Sequence, residues 1–289
     1  MLTNLRQEFK QGSMLNKIIY INLSLFLFFS ILSVLSFMFQ FDIKTILNKL
    51  YLPADTTTLL KQPWTFITYM FLHNGFLHLL VNMLWLHFAG KIFLQYMQPK
   101  QLLSTYILGG ISGGLLFIIA FNYIPVLETL TSDARALGAS ASVLAIMVAI
   151  ATYSPNYSVY FPFIGNVKLN KIAIVCVVID ILSIPNGNAG GHIAHLGGAI
   201  FGYFYAKELQ KGNDFSFGFS NFLNKLVYTF KNKSKLNTIH KRFTPDYEFN
   251  KSEFNKQKEI DIILEKIANS GYESLSKSEK ETLFTASKK

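Results

Sequence analysis

The sequence predicts an all-α membrane protein: six transmembrane helices in one bundle, followed by a small helical tail. Composition is the first observation behind this. Of 289 residues, 51% are hydrophobic and only 15% charged. With a mean hydropathy of +0.30, the chain is too apolar for an ordinary water-soluble domain. The second observation is arrangement: apolar runs of bilayer-spanning character recur between short polar connections up to about residue 211, and then stop. The third is charge. A net charge of +10 would suit nucleic acid if it were gathered on one face. Here it lies in the tail and the short loops, which fits a lipid bilayer with a positive cytoplasmic side, and no nucleic-acid partner is expected.

The elements follow in order. Residues 1–17 are polar and mildly basic, a cytoplasmic amino-terminal segment. Residues 18–41 are the first span, too long for the apolar core of a signal peptide and followed by no small-residue cleavage site. Residues 42–75 form a long connection whose Trp64 suits the outer interface. The second span is 76–93, the third 101–123, the fourth 138–152, the fifth 171–184 and the sixth 192–209. The domain therefore runs over 18–211. Residues 212–256 read as a basic and aromatic linker suited to an anionic leaflet. Residues 257–289 read as a helical hairpin. Ile260, Ile263, Leu264 and Ile267 share one stripe, Gly271 ends the first helix, and Ser276 with Glu279 forms a capping box for the second. A hairpin this small suggests a docking element, either for a cytoplasmic partner or for the membrane face.

Six spans with the amino terminus inside leave both termini in the cytoplasm, and the lysines at the proposed inner ends agree. The second, fourth and sixth helices then all run inward from the outer face. His78 and Asn82, Ser140, and His195 each stand near the start of one of them. At about 1.5 Å per residue, polar groups from three helices share one shallow depth. Intramembrane polar groups are costly and face the protein interior.

The fourth span opens with Gly138-Ala-Ser140-Ala-Ser142, small residues that let a neighbour approach closely. His195 opens the sixth span and is followed by Gly198 and Gly202. A serine and a histidine brought together in a crowded, dry place suggest a nucleophile and its base. Packing alone is the competing account of Ser140 and Ser142, and interhelical hydrogen bonding that of His78 and Asn82. On a helix Ser142 lies about 200° from Ser140, so only one of the two can face His195. His192, three residues before His195, is a rival base. Asp180 is expected to reach for the outer interface rather than to orient His195. The one cysteine, Cys176, excludes an intrachain disulfide and a cysteine-based metal cluster. No His-Glu-x-x-His segment is present, so neither a metal nor another cofactor is expected.

With His73-x4-His78-x3-Asn82, Gly-Ala-Ser140 and Ala194-His195-Leu-Gly-Gly198-x3-Gly202 in this order, the chain resembles the rhomboid intramembrane serine proteases over about residues 15–210. The resemblance implies a serine endopeptidase using a Ser140–His195 dyad. It implies that His78, Asn82 and the Ser140 backbone N–H hold the oxyanion, and that Gly138, Gly198 and Gly202 permit close helix packing. Substrates would be transmembrane proteins, cut near the outer interface beside the fifth helix and the 185–191 linker, in a bacterial inner membrane. The chain departs from the family in having Ala141 where glycine usually follows the nucleophile. It also has Leu144 where many members carry an aromatic, and Thr65 after Trp64. A catalytically silent rhomboid-like protein that binds membrane clients is the alternative these departures keep open. A small transporter is a second, disfavoured by a shallow polar cluster and the lack of an internal repeat.

Overall fold

The protein is described here from a computed structural model, which covers residues 12–216, 218–219, 221, 225 and 246–286. Residues 1–11, most of the expected 212–256 linker and residues 287–289 lie outside it. The chain divides into two compact units, Met1–Phe230 and Lys231–Lys289.

In the first unit the long helices are α1 (Met14–Phe39), α2 (Phe76–Tyr96), α3 (Pro99–Tyr123), α4 (Ser140–Tyr153), α5 (Leu169–Ser183) and α6 (Ala189–Gln210). Each coincides with one of the predicted apolar runs. Of these, α1, α2 and α3 are long and apolar enough to cross a membrane. Helix α4 is the centre: every residue from Ala141 to Ala151 is buried. A helix apolar on all sides needs neighbours on all sides, and α2, α3, α5 and α6 supply them. By contrast, α1 buries only Leu15, Ile18 and Asn22, and α5 only Leu169, Ala173 and Asp180.

Glycines set the spacing around α4. A Cβ on Gly198 would lie 2.1 Å from the Ala141 carbonyl oxygen, and one on Gly202 would lie 2.2 Å from that of Ala145. Both pairings advance in the same sense along the two helices, so α4 and α6 run parallel. Helix α3 lies against both in the opposite sense. A Cβ on Gly113 would meet the Ala141 Cβ and the Ala194 oxygen at 2.6 Å, and one on Gly109 would meet the Ala145 Cβ at 2.3 Å. Gly109, Gly110 and Gly113 thus form the seat on which α4 and α6 rest, while Gly114 faces Leu52, Phe66 and Tyr69 of the first connection.

The first long connection is more ordered than its mixed composition suggests. It carries short helical turns at Ile43–Asn48, Thr56–Lys61 and Thr65–Phe71. Asp42 and Asp55 cap the first two by accepting backbone N–H bonds. Strand β1 (Leu52–Pro53) pairs antiparallel with β2 (Arg135–Ala136), and the Gly138 N–H donates to the Tyr69 carbonyl at 2.9 Å. The segment leading into α4 is therefore held by the first connection. Tyr69 is itself fixed, its hydroxyl donating to the Gly110 carbonyl at 2.6 Å. The 153–170 connection contains a hairpin, β3 (Ser158–Phe161) with β4 (Gly165–Lys168). Two four-residue strands leave too little alternation to stand out in the sequence.

The second unit holds α7 (Asp246–Ser270) and α8 (Lys277–Ala286), with α7 beginning earlier than residue 257. Gly271 follows α7 at φ +77°. The capping box is formed in both directions: the Ser276 N–H donates to Glu279 at 2.7 Å and the Glu279 N–H to the Ser276 hydroxyl at 3.4 Å. Lys266 pairs with Glu279 at 2.9 Å, and Ile263 and Leu275 are buried.

The glycine seat makes a stability prediction. Gly198→Val forces side-chain atoms into the Ala141 backbone, an overpacking cost of about 1–3 kcal/mol or more. The melting temperature of the purified protein in detergent should fall clearly. Ile200→Ala, on an exposed position of the same helix, should leave it nearly unchanged. Equal melting temperatures for Gly198→Val and the parent protein would show that the helices are not held at this distance.

Candidate active site

The parallel register of α4 and α6 decides what faces what. Gly198 lies opposite Ala141, so His195, one turn earlier, lies level with Gly138 at the start of α4. Ser140 is the first residue of that helix. Ser140, His195, His78 and Asn82 line one cavity of about 810 Å³, together with Asn74, Trp85, Gly138, Cys176 and Asp180. The four polar residues expected to share one depth are brought to one place.

Each is positioned by its own helix end. Gly75 begins α2 at φ +92°, a conformation other residues adopt at a cost. His78 stands in the first turn after it. The His78 Nδ1 accepts from the Asn74 N–H at 3.3 Å, which leaves the ring proton on Nε2. That edge of the ring lies against Gly138, where a Cβ would meet Cε1 at 2.9 Å and Nε2 at 3.0 Å. Gly138 has φ +122°, so the last residues before Ser140 require glycine on two counts, conformation and room. Asn82 is buried and gives one amide hydrogen to the His78 carbonyl at 2.8 Å, keeping a second. His87 is exposed, as its distance from the His78 face requires.

The two serines part company. Ser142 is fully buried, and its oxygen lies where a Cβ on Gly110 of α3 would come within 2.6 Å. Ser140 is only half-buried and opens on the cavity.

Asp180 departs from expectation. It is buried, and its Oδ1 lies 2.8 Å from the Nδ1 of both His192 and His195. A carboxylate only accepts, so both imidazoles donate Nδ1–H to it. The expected reach toward the interface does not occur, because two hydrogen bonds satisfy the carboxylate inside the bundle. This also fixes the His195 tautomer, leaving Nε2 as an acceptor. His192 is tied to the same oxygen through the atom nearest α5. The sequence contained each of the three residues, but nothing in it showed that α5 would turn Asp180 toward α6. The three-donor cluster they form was not anticipated by the expectation of no metal ligands.

Comparison with known proteins was informative over the same region. Residues 60–211 match the rhomboid domain family, and residues 244–289 match a family of unknown function, DUF6576. The chain is 30% identical over 157 residues to "RHOMBOID-like protein 12, mitochondrial" of Arabidopsis thaliana, covering 51% of this chain and 47% of that protein. It is 30% identical over 158 residues to "Presenilin-associated rhomboid-like protein A, mitochondrial" of Danio rerio, covering 53% and 38%. It is 27% identical over 118 residues to "Inactive RHOMBOID-like protein 8" of Arabidopsis thaliana, covering 41% and 30%. The chain thus spans less than half the length of these relatives. Their names place the first two in mitochondria and give no support to a bacterial inner membrane.

One titration follows from the site's surroundings. His73, outside the long helices, packs edge-on to His78 with ring centres 5.2 Å apart. Burial, and then the neighbouring His78, push its pKa down to about 4. Between pH 6.5 and 4 the unfolded chain therefore binds a proton that the folded protein does not. The contribution of a neutral His73 is complete above 6.5 and lost as the pH falls through that window. Melting curves in detergent should decline over this range, and His73→Gln should flatten part of the decline. Superimposable pH profiles for the two proteins would rule this out.

Proposed function

Because the chain belongs to the rhomboid family, we propose that it is an intramembrane serine endopeptidase acting on transmembrane substrates. The observation that carries this reading is the convergence of Ser140, His195, His78 and Asn82, from three helices, on one cavity. One relative is named inactive, and the catalytically silent client-binding alternative lacks a reason to retain this arrangement. A carboxylate that sets the His195 tautomer is of use to a base and of no evident use to a binding surface.

In this reading Ser140 Oγ attacks the scissile carbonyl carbon while its proton passes to His195 Nε2. Asp180 holds His195 in the required tautomer and stabilises the imidazolium that forms. The site thus extends the expected dyad by a positioning carboxylate. The negative oxygen of the tetrahedral intermediate takes hydrogen bonds from His78 Nε2–H, the free Asn82 amide hydrogen and the Ser140 N–H. The first N–H groups of α4 have no partner within the helix and favour negative charge there. His195 then gives its proton to the leaving amine, and water, activated in the same way, releases the acyl group from Ser140.

Access supports a membrane substrate. The cavity lies between α2 and α5, and its walls include Val81, Trp85 and Ile179, all exposed on the outside of the bundle. An extended segment of a transmembrane substrate can reach Ser140 sideways from lipid. We further propose that α1 to α6 all span, including the short α4 and α5, with both termini on one side. The bundle's alternating helix directions support this topology. The hairpin over 257–289 would then lie on the terminal side, available to a partner there.

Two measurements test the proposal. Cleavage of a model transmembrane substrate in detergent should vanish in Ser140→Ala and largely survive in Ser142→Ala. Asn82→Ala should cost about 10²–10³ in rate, and Asp180→Asn about tenfold or more. Equal losses in the two serine variants would sink the nucleophile assignment. For topology, a reporter fused after Lys211 should lie on the same side as the amino terminus, and one inserted within 124–137 on the other. Both on one side would break the alternation on which the common depth rests.

A further inference from the structure

The Asp180–His192–His195 cluster contains more ligand than orientation of one base requires. Asp180 comes from α5, and the two histidines from adjacent turns of α6. The Nδ1 atoms of both rings lie 2.8 Å from the same carboxylate oxygen. All three donor atoms lie within 4.8 Å of one another. We propose that this cluster is a binding site for one divalent transition ion of the zinc type, and that its occupation switches off His195 as a proton acceptor.

The donor set selects the ion class. Two imidazole nitrogens and one carboxylate suit zinc, whereas calcium and magnesium prefer all-oxygen surroundings. Distances allow it with small movement. With zinc–nitrogen and zinc–oxygen bonds of about 2.0–2.2 Å, tetrahedral donors stand roughly 3.3 Å apart. The two 2.8 Å contacts need to open by about half an ångström, and the two rings to turn toward each other. Helix α5, which buries only three residues, is free to give this much. The cavity that Asp180 and His195 line has room for water as a fourth ligand.

The chemical consequence follows from the tautomers. With no ion, each ring carries its proton on Nδ1 and donates it to Asp180. An ion takes the Nδ1 lone pair, so the proton of each neutral ring moves through solvent to Nε2, with no net proton gained or lost. His195 Nε2–H then cannot accept the Ser140 proton. The same carboxylate that prepares the base thus supplies the ligand that disables it. Binding stands on the cluster alone, while the switch rests on the reading of His195 as the base.

The experiment separates these parts. Full-length Ser140→Ala protein in detergent is titrated with zinc against a chromophoric chelator. One zinc per chain is expected, with affinity lowered tenfold or more by a second change, His192→Gln or Asp180→Asn. Thermal melting confirms that each variant is folded, and saturating zinc should raise the melting temperature only where the cluster is intact. Unchanged affinity in both folded variants would overturn the site, as would no zinc at stoichiometric level. In the protein with Ser140 intact, zinc should abolish cleavage over the concentration range in which it binds. EDTA should restore cleavage, and magnesium should have no effect. Cleavage that persists at saturation would overturn the switch. A protein that never cleaves would instead fail the proposed function, and the binding arm would still decide the site.

Discussion

The approach of α6 to α4 is the constraint on which the rest of the structure depends. Two glycines of α6, one turn apart, bring its backbone against the carbonyls of Ala141 and Ala145, closer than any side chain would allow. In a lipid surround, association has no hydrophobic drive of its own and draws on contact between closely packed surfaces. Small residues on both helices, and on α3 behind them, supply that contact. The geometry of the candidate site is a by-product of this register. Once Gly198 meets Ala141, His195 can only be at the start of α4, where Ser140 is.

A second layer of organisation is electrostatic. Burying a carboxylate is costly unless it is paired or hydrogen-bonded, and Asp180 meets that condition through two imidazoles. The arrangement has a direction. A buried acceptor draws Nδ1–H from both rings, and the free lone pair of His195 therefore faces away from Asp180. The α5 helix is loosely attached along most of its length, yet at this point it is tied to α6. A helix bordering the cavity is thus anchored through the group that sets the His195 tautomer.

The connection before α2 performs a similar service for the other half of the site. Tyr69 accepts the Gly138 N–H through its carbonyl and reaches Gly110 with its hydroxyl. The residues just before Ser140 are therefore fixed from the first connection and from α3 together. His78, anchored by Asn74, packs on Gly138 from α2. On this side of Ser140, His78 and Gly138 are thus each held by a backbone contact, whereas His195 is held by the Asp180 carboxylate.

The sequence by itself determined the class of protein, the positions of the six long helices, the glycine contacts and the residues that meet at the cavity. Length and hydropathy mark a helix that lipid or protein must surround, and glycine spacing marks where two backbones touch. The hairpin's capping box was equally legible, because its partners are three residues apart. What only the tertiary structure decided is the rotation of one helix about its axis relative to another. Asp180 is a polar residue near the end of an apolar run, and such a residue can turn to the interface or inward with no change in the pattern. It turns inward because His192 and His195, on a different helix, offer two donors at one point. Likewise the separation of Ser140 from Ser142 was given by helical geometry, but which of them opens on the cavity depended on α3 filling the other side.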